Sequence, residues 1–97
     1  MRGAVFHPEA EEEFIAAARF YEQHAEGLGR EFIAEVRYTI GRIVAHPESG
    51  GRFARSLRRM LVNRFPYAVL YGLETEQILI VAVMHLHRRP GYWRRRV

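Results

Sequence analysis

The sequence predicts an α+β fold in which a helical hairpin covers one face of a small antiparallel sheet. Apolar residues recur at helical spacing in the first half of the chain, whereas the second half contains extended runs separated by short turns. The two helical segments are separated by only four residues, 26–29, a break short enough for an antiparallel hairpin. Since helices and sheets each bury an apolar face, the hairpin is expected to pack on the sheet.

The first predicted helix runs from Pro8 to about His24, after a short extended segment at residues 4–7. Proline fits the first helical turn because its missing N–H has no partner there. The glutamates that follow it complement the helix dipole. One apolar stripe has helical spacing and predicts the packed face: Ala10, Phe14, Ala17, Ala18 and Tyr21.

The second predicted helix runs from about residue 30 to residue 45, and Pro47 prevents its continuation. Residues 48–51 are expected to form a turn. The apolar face of this helix is wider than that of the first: Phe32, Ile33, Val36, Ile40, Ile43 and Val44.

Three strands are predicted in the second half, at residues 56–63, from residue 65 to residue 73, and at residues 77–86. Short turns between them predict an antiparallel meander of three strands that follows the two helices. The last strand is apolar on both faces, with alternate residues on each side: Ile78, Ile80, Ala82 and Met84 against Leu79, Val81 and Val83. A strand of this kind is central, or its second face is covered by a partner.

Charge is divided between the two halves of the chain. Residues 1–50 carry five Arg and nine Glu, a net charge of −4, whereas residues 51–97 carry ten Arg and two Glu, a net charge of +8. The absence of Lys and Asp indicates a codon bias, but such a bias does not explain the division. We therefore expect a basic face that meets a polyanion or an acidic protein.

The 97 residues are expected to form one domain, 1–97, with a short basic tail from about residue 88. The absence of cysteine fits a reducing cytoplasm. Apolar runs are too short for a signal peptide or a membrane span. These features predict a cytoplasmic protein that makes no membrane contact.

Short motifs distributed over the whole chain give a more specific interpretation. In chain order they are Pro8-Glu9-Ala10 with Glu13, Tyr21-Glu22, Gly27-Leu28-Gly29 with Phe32, Pro47, Arg58-Arg59, Phe65-Pro66-Tyr67 with Tyr71, Ala82-Val83-Met84-His85, Arg88-Arg89-Pro90 and Tyr92-Trp93. As an ordered set they resemble the RelE/ParE superfamily of toxins from type II toxin–antitoxin (plasmid stabilisation) modules. The runs at 64–67 and 85–93 are most similar to the ParE branch.

The resemblance implies a β-α-α-β-β-β fold and a cognate antitoxin encoded by an adjacent gene. For a ParE-like toxin it also implies inhibition of DNA gyrase by direct binding. The alternative that it implies is a RelE-like toxin, an endonuclease that cuts mRNA on the ribosome without a metal. Both branches share the fold, so the fold does not decide between them. Neither implies a cofactor.

A nuclease of this kind needs acid–base groups, and arginine cannot supply one because it does not deprotonate in proteins. His85 and Tyr92 are the candidates, with Arg58 and Arg64 beside them for the phosphate charge. A lone histidine is usually structural. RNA-cutting relatives also place a basic residue where this chain has Leu86, so no catalytic residue is assigned.

Eight residues are predicted to bind the target or the antitoxin: Arg58, Arg59, Arg64, His85, Arg88, Arg89, Tyr92 and Trp93. Adjacent strand residues point to opposite faces, so either Arg58 or Arg59 is expected to pair with a helical glutamate such as Glu13 or Glu35. Residues 94–96 are expected to be a frayed, solvated tail. His85 and His87 would share a strand face, but without a third ligand we predict no metal site.

Overall fold

Two helices and five strands make up the computed structural model, which describes residues 3–97. In chain order they are β1 (Gly3–Phe6), α1 (Pro8–His24), α2 (Leu28–Ala45), β2 (Gly51–Ala54), β3 (Leu57–Leu61), β4 (Tyr67–Leu73) and β5 (Gln77–His85), followed by a 3₁₀ turn, Arg94–Arg96. The predicted α+β class and helical hairpin are confirmed.

The strands form one mixed sheet in the order β1-β5-β4-β3-β2. β1 pairs in parallel with β5, whereas the other neighbours are antiparallel. The prediction of a wholly antiparallel sheet with three strands after the helices was therefore wrong on two points. The initial extended segment joins the sheet in parallel, and β2 lies between the predicted turn at 48–51 and the predicted strand at 56–63, where no strand was predicted.

The helical hairpin is closed by local contacts that the sequence supplies. The Nδ1 atom of His7 accepts the N–H of Glu9 at 3.1 Å, which caps α1. The carboxylate of Glu22 accepts the N–H groups of Gly27 and Gly29, at 2.9 and 3.0 Å. Gly27 has φ 85°, a value that suits glycine, and α2 begins directly after it, two residues earlier than predicted.

A β-bulge changes the faces of β5. Leu70 pairs with Ala82 while the next residue, Tyr71, pairs with Ile80, so Val81 is an extra residue in β5. Strict alternation fails at such a point because two residues oppose one. Val83 therefore lies on the helix-facing side and Ala82 on the other, the reverse of the alternation predicted for these two residues.

Both faces of β5 are covered, and the covers differ. The helices cover the first face, in a core built around fully buried side chains such as Phe32, Val36, Ile43 and Tyr71. The second face is covered by the chain's own C-terminal segment, through Trp93, which is 4% exposed. The second face of the sheet thus has a small core of its own.

Glycine substitutions test how closely the two helices pack. A Cβ atom on Gly29 would lie 2.5 Å from the carbonyl oxygen of Ala18, so Gly29→Ala is expected to destabilise the fold by about 1–3 kcal/mol. Gly41, also in α2, has open space around it, and Gly41→Ala is expected to stabilise by about 0.5–1 kcal/mol. Urea unfolding of both variants measures the difference. Equal effects at the two positions would contradict the close helix contact.

Candidate interaction site at the end of β5

The chain turns back after β5 and crosses the second face of the sheet. Trp93 packs there among Leu57, Leu70, Val81 and Met84. The guanidinium of Arg88 lies over the ring of Tyr92, with 3.9 Å between the guanidinium carbon and the ring centroid. The segment from Arg88 onward is therefore attached to the domain by aromatic contacts.

An ion pair between the first helix and the last turn fastens this segment. Arg96 donates from Nη1 to Oε1 of Glu13 at 2.9 Å and from Nη2 to Oε2 at 3.0 Å. The side chains are 6% and 15% exposed, respectively. The prediction of a solvated tail was thus wrong for Arg96, whereas Arg95 is 73% exposed and pairs with Glu9 at the surface.

The same ion pair also provides hydrogen-bond partners for two backbone groups of β5. β1 ends at Phe6, which pairs with Ile80, so β5 continues beyond its parallel neighbour. Glu13 Oε1 accepts the N–H of Val83 at 3.1 Å, and Arg96 Nη1 donates to the carbonyl of Val81 at 3.1 Å. We call this arrangement the Glu13–Arg96 clasp. It supplies an acceptor and a donor where a longer β1 would have supplied them.

A cleft of about 300 Å³ lies beside the clasped segment. We call it the β5 cleft, and its lining is Phe53, Arg59, Met84, His85, Leu86, Arg88, Arg89, Pro90, Tyr92 and Trp93. Six of the eight predicted contact residues are in this lining. The other two, Arg58 and Arg64, lie outside it.

Arg58 and Arg64 are held by other parts of the chain. Arg58 donates to the carbonyls of Glu48 and Gly50, at 3.0 and 2.8 Å. Arg64 forms ion pairs with two α2 glutamates, Glu31 at 2.5 Å and Glu35 at 3.7 Å.

The predicted pairing of Arg58 or Arg59 with Glu13 or Glu35 is therefore wrong. Arg96 and Arg64 occupy those carboxylates. Arg59 instead lies over the ring of Phe53, 4.9 Å from its centroid.

His85 is engaged by its own neighbour. Its Nδ1 atom accepts the N–H of His87 at 3.0 Å, and its ring packs edge-on against Tyr67. His87 lies in the turn after β5, not on the strand as predicted. In residues 3–97, no three histidine or glutamate side chains come together as metal ligands.

The Tyr92 hydroxyl is buried, and within residues 3–97 it has no hydrogen-bond partner. Burial, and after it the neighbouring carboxylate of Glu13, raises the pKa of Tyr92 far above the ordinary value for tyrosine. The phenol therefore stays protonated and is a poor proton donor to a bound molecule.

Two residues of the β5 cleft, Phe53 and Leu86, were not predicted from the sequence as contact residues. Both have large apolar side chains that remain exposed, Phe53 by 40% and Leu86 by 42%. Phe53 lies on β2, the strand that carried no strand signal. Leu86 was predicted as the last residue of the final strand and as a departure from the nuclease pattern, but not as a contact residue, and β5 ends one residue before it.

Comparison with known proteins identifies the family. The family model described as "ParE toxin of type II toxin-antitoxin system, parDE" matches residues 4–90. The chain belongs to this ParE toxin family. Arg96, which forms the clasp, lies beyond the matched residues.

A solved structure described as the chromosomal ParDE TA system from P. aeruginosa has the same fold as this ParE-family chain. The TM-score is 0.72 at 14% sequence identity, and the match covers 88% of this chain and 95% of that one. A search of curated proteins gave no match. Across residues 3–97, neither helix has the length and apolar character needed to cross a membrane.

Proposed function

We propose that this ParE-family toxin inhibits DNA gyrase by direct binding, without catalysis of its own, and that a cognate antitoxin neutralises it. The observation that carries the proposal is the composition of the β5 cleft. It combines exposed apolar side chains with arginines, and its two candidate acid–base groups are engaged or buried.

The cleft has the chemistry of a protein-binding surface. Tryptophan, tyrosine and arginine dominate the binding energy of protein interfaces. Here Trp93 forms a rigid floor, Phe53 and Leu86 expose apolar area, and Arg88 and Arg89 carry charge at the rim. Such a surface suits an apolar anchor flanked by acidic groups on gyrase.

The contacts of the four nuclease candidates support the same proposal. A catalytic base must reach its proton within hydrogen-bond distance, and His85 uses Nδ1 on the backbone of His87. Tyr92 is buried, Arg58 donates to carbonyls in the turn before β2, and Arg64 pairs with a glutamate of α2. This arrangement favours binding over RNA cleavage.

A second surface suits the antitoxin. An apolar cleft of about 440 Å³ lies between the helices and β1, and it is lined by Phe6, Glu11, Phe14, Ile15, Ile33, Arg37 and Ile40. β1 is the last strand of the sheet on this side, so its outer backbone edge can pair with an added strand. An extended antitoxin segment would pair with β1 and place alternate apolar side chains in the cleft.

The mechanism is tested by two substitutions that a nuclease would not tolerate. We expect His85→Ala and Tyr92→Phe to retain growth arrest and inhibition of gyrase supercoiling, because neither group performs chemistry. Phe53→Ala with Arg89→Ala should weaken inhibition, because both side chains line the cleft.

The nuclease alternative predicts a different result for the same substitutions. A general acid or base contributes about 10²–10⁴-fold to a rate. Cleavage of mRNA on translating ribosomes that is lost in Tyr92→Phe, with supercoiling unaffected by the native protein, would replace gyrase inhibition with the nuclease function.

The antitoxin interaction is tested by charge. We expect Arg88→Glu with Arg89→Glu to slow association with the adjacent gene's product much more than it alters urea unfolding, because long-range charge governs encounter rates. The native association rate should also fall as salt rises. An association rate that is independent of salt in stopped-flow measurements would show that apolar burial alone drives the complex.

A further inference from the structure

The β2–β3 hairpin carries a basic cleft that is distinct from the β5 cleft. Its volume is about 390 Å³, and its lining is Glu48, Arg52, Arg55, Ser56, Leu57, Arg58 and Leu73. Three of these seven residues are arginines. We call this site the hairpin cleft.

Two of the arginines are placed directly opposite each other. Arg52 on β2 pairs in register with Arg58 on β3. Like charges at directly opposed positions destabilise a sheet. The folded chain nevertheless fixes Arg58 there, because its Nη1 atom donates to two backbone carbonyls, leaving its other donors for a ligand.

No carboxylate neutralises this charge within residues 3–97. The ion pairs of the described chain involve other arginines, namely Arg64, Arg95 and Arg96. The one acidic residue in the lining, Glu48, pairs with none of the three cleft arginines. The charge of the three hairpin-cleft arginines is therefore not offset by an ion pair, unlike that of Arg64, Arg95 and Arg96, which pair with glutamates of the helices.

The third arginine is at the tip of the hairpin. Arg55 occupies the turn between β2 and β3 with φ 51°, a left-handed conformation that favours glycine or asparagine. An exposed arginine at such a position adds charge at a local cost in backbone energy. β2 is the outermost strand and β3 pairs with β4 on its other side, so the hairpin forms one edge of the five-stranded sheet.

We propose that the hairpin cleft binds the phosphodiester backbone of duplex DNA. The guanidinium group is a planar fork of donors that matches the oxygens of a phosphate. Duplex DNA presents one negative charge per about 1.7 Å of helix axis, so arginines close together at one edge of the sheet would meet neighbouring phosphates. This site goes beyond the proposed contact with gyrase and would let the toxin hold the DNA that a topoisomerase is handling.

The test is fluorescence anisotropy of a labelled 20-base-pair duplex of about 20 nM, titrated with the full chain at several salt concentrations. We compare the native protein with Arg52→Gln/Arg55→Gln. Arg58 is left in place because it also holds backbone carbonyls. The matched control is Arg19→Gln/Arg42→Gln, which removes the same charge from exposed positions on the helices.

The hairpin variant is expected to bind at least about tenfold more weakly. The slope of its log affinity against log salt concentration should correspond to about two fewer phosphate contacts. The control should stay within about threefold of the native protein. Equal weakening in both variants would overturn the site, because net charge alone would then explain binding.

Absence of native binding at low salt would also overturn the proposal, as would a polyglutamate peptide that binds the hairpin cleft when DNA does not. The assay contains no gyrase. A protein that binds DNA without inhibiting gyrase, or that inhibits gyrase without binding DNA, would therefore be recognised, so the two proposals are tested separately.

Discussion

The Glu13–Arg96 clasp is the interaction on which the rest of the surface depends. β1 has four residues and β5 has nine, so the parallel pairing ends before β5 does. A carboxylate from α1 and a guanidinium from the last turn take over the amide of Val83 and the carbonyl of Val81. Because Arg96 is bonded at this edge, the residues before it cross the second face of the sheet, and Trp93 packs in the second core.

The clasp also clarifies the division of charge along the sequence. Glutamates of the helices neutralise arginines of the second half at three places, through Glu31, Glu13 and Glu9. These pairs join the helical hairpin to the turn before β4 and to the end of the chain. Six of the seven remaining arginines of residues 51–97 line the hairpin cleft or the β5 cleft, so the basic charge of this half is concentrated on surfaces available to partners.

Regular features of the fold were predictable from the sequence. The helices have long apolar stripes with clear stops, and β4 and β5 are apolar runs between polar turns, so periodicity found all four. β2 was missed because it is only four residues long and its turn to β3, Arg55-Ser56, lacks the glycine or asparagine expected at positive φ.

Features that depend on the tertiary structure were not predictable. The bulge at Val81 is a property of the pairing with β4, and no residue in β5 signals it. Likewise, Glu13 and Arg96 are 83 positions apart, and nothing local distinguishes Arg96 from its neighbour Arg95. Six predicted contact residues did converge on the β5 cleft. Five of them lie within residues 85–93, where the end of the last strand and the aromatic–basic motif are adjacent in the chain, and Arg59 joins them from β3.

A double-mutant cycle on the clasp tests its central role most directly. Urea unfolding of Glu13→Gln, Arg96→Gln and the double variant gives the coupling free energy, and the exposed pair Glu31 and Arg64, which does not touch the clasp, provides the matched control. We expect a coupling of about 1–3 kcal/mol for the clasp and below about 0.5 kcal/mol for the control. Equal couplings, or a clasp value near zero, would show that the C-terminal segment is held by Trp93 alone and would contradict the role of the ion pair.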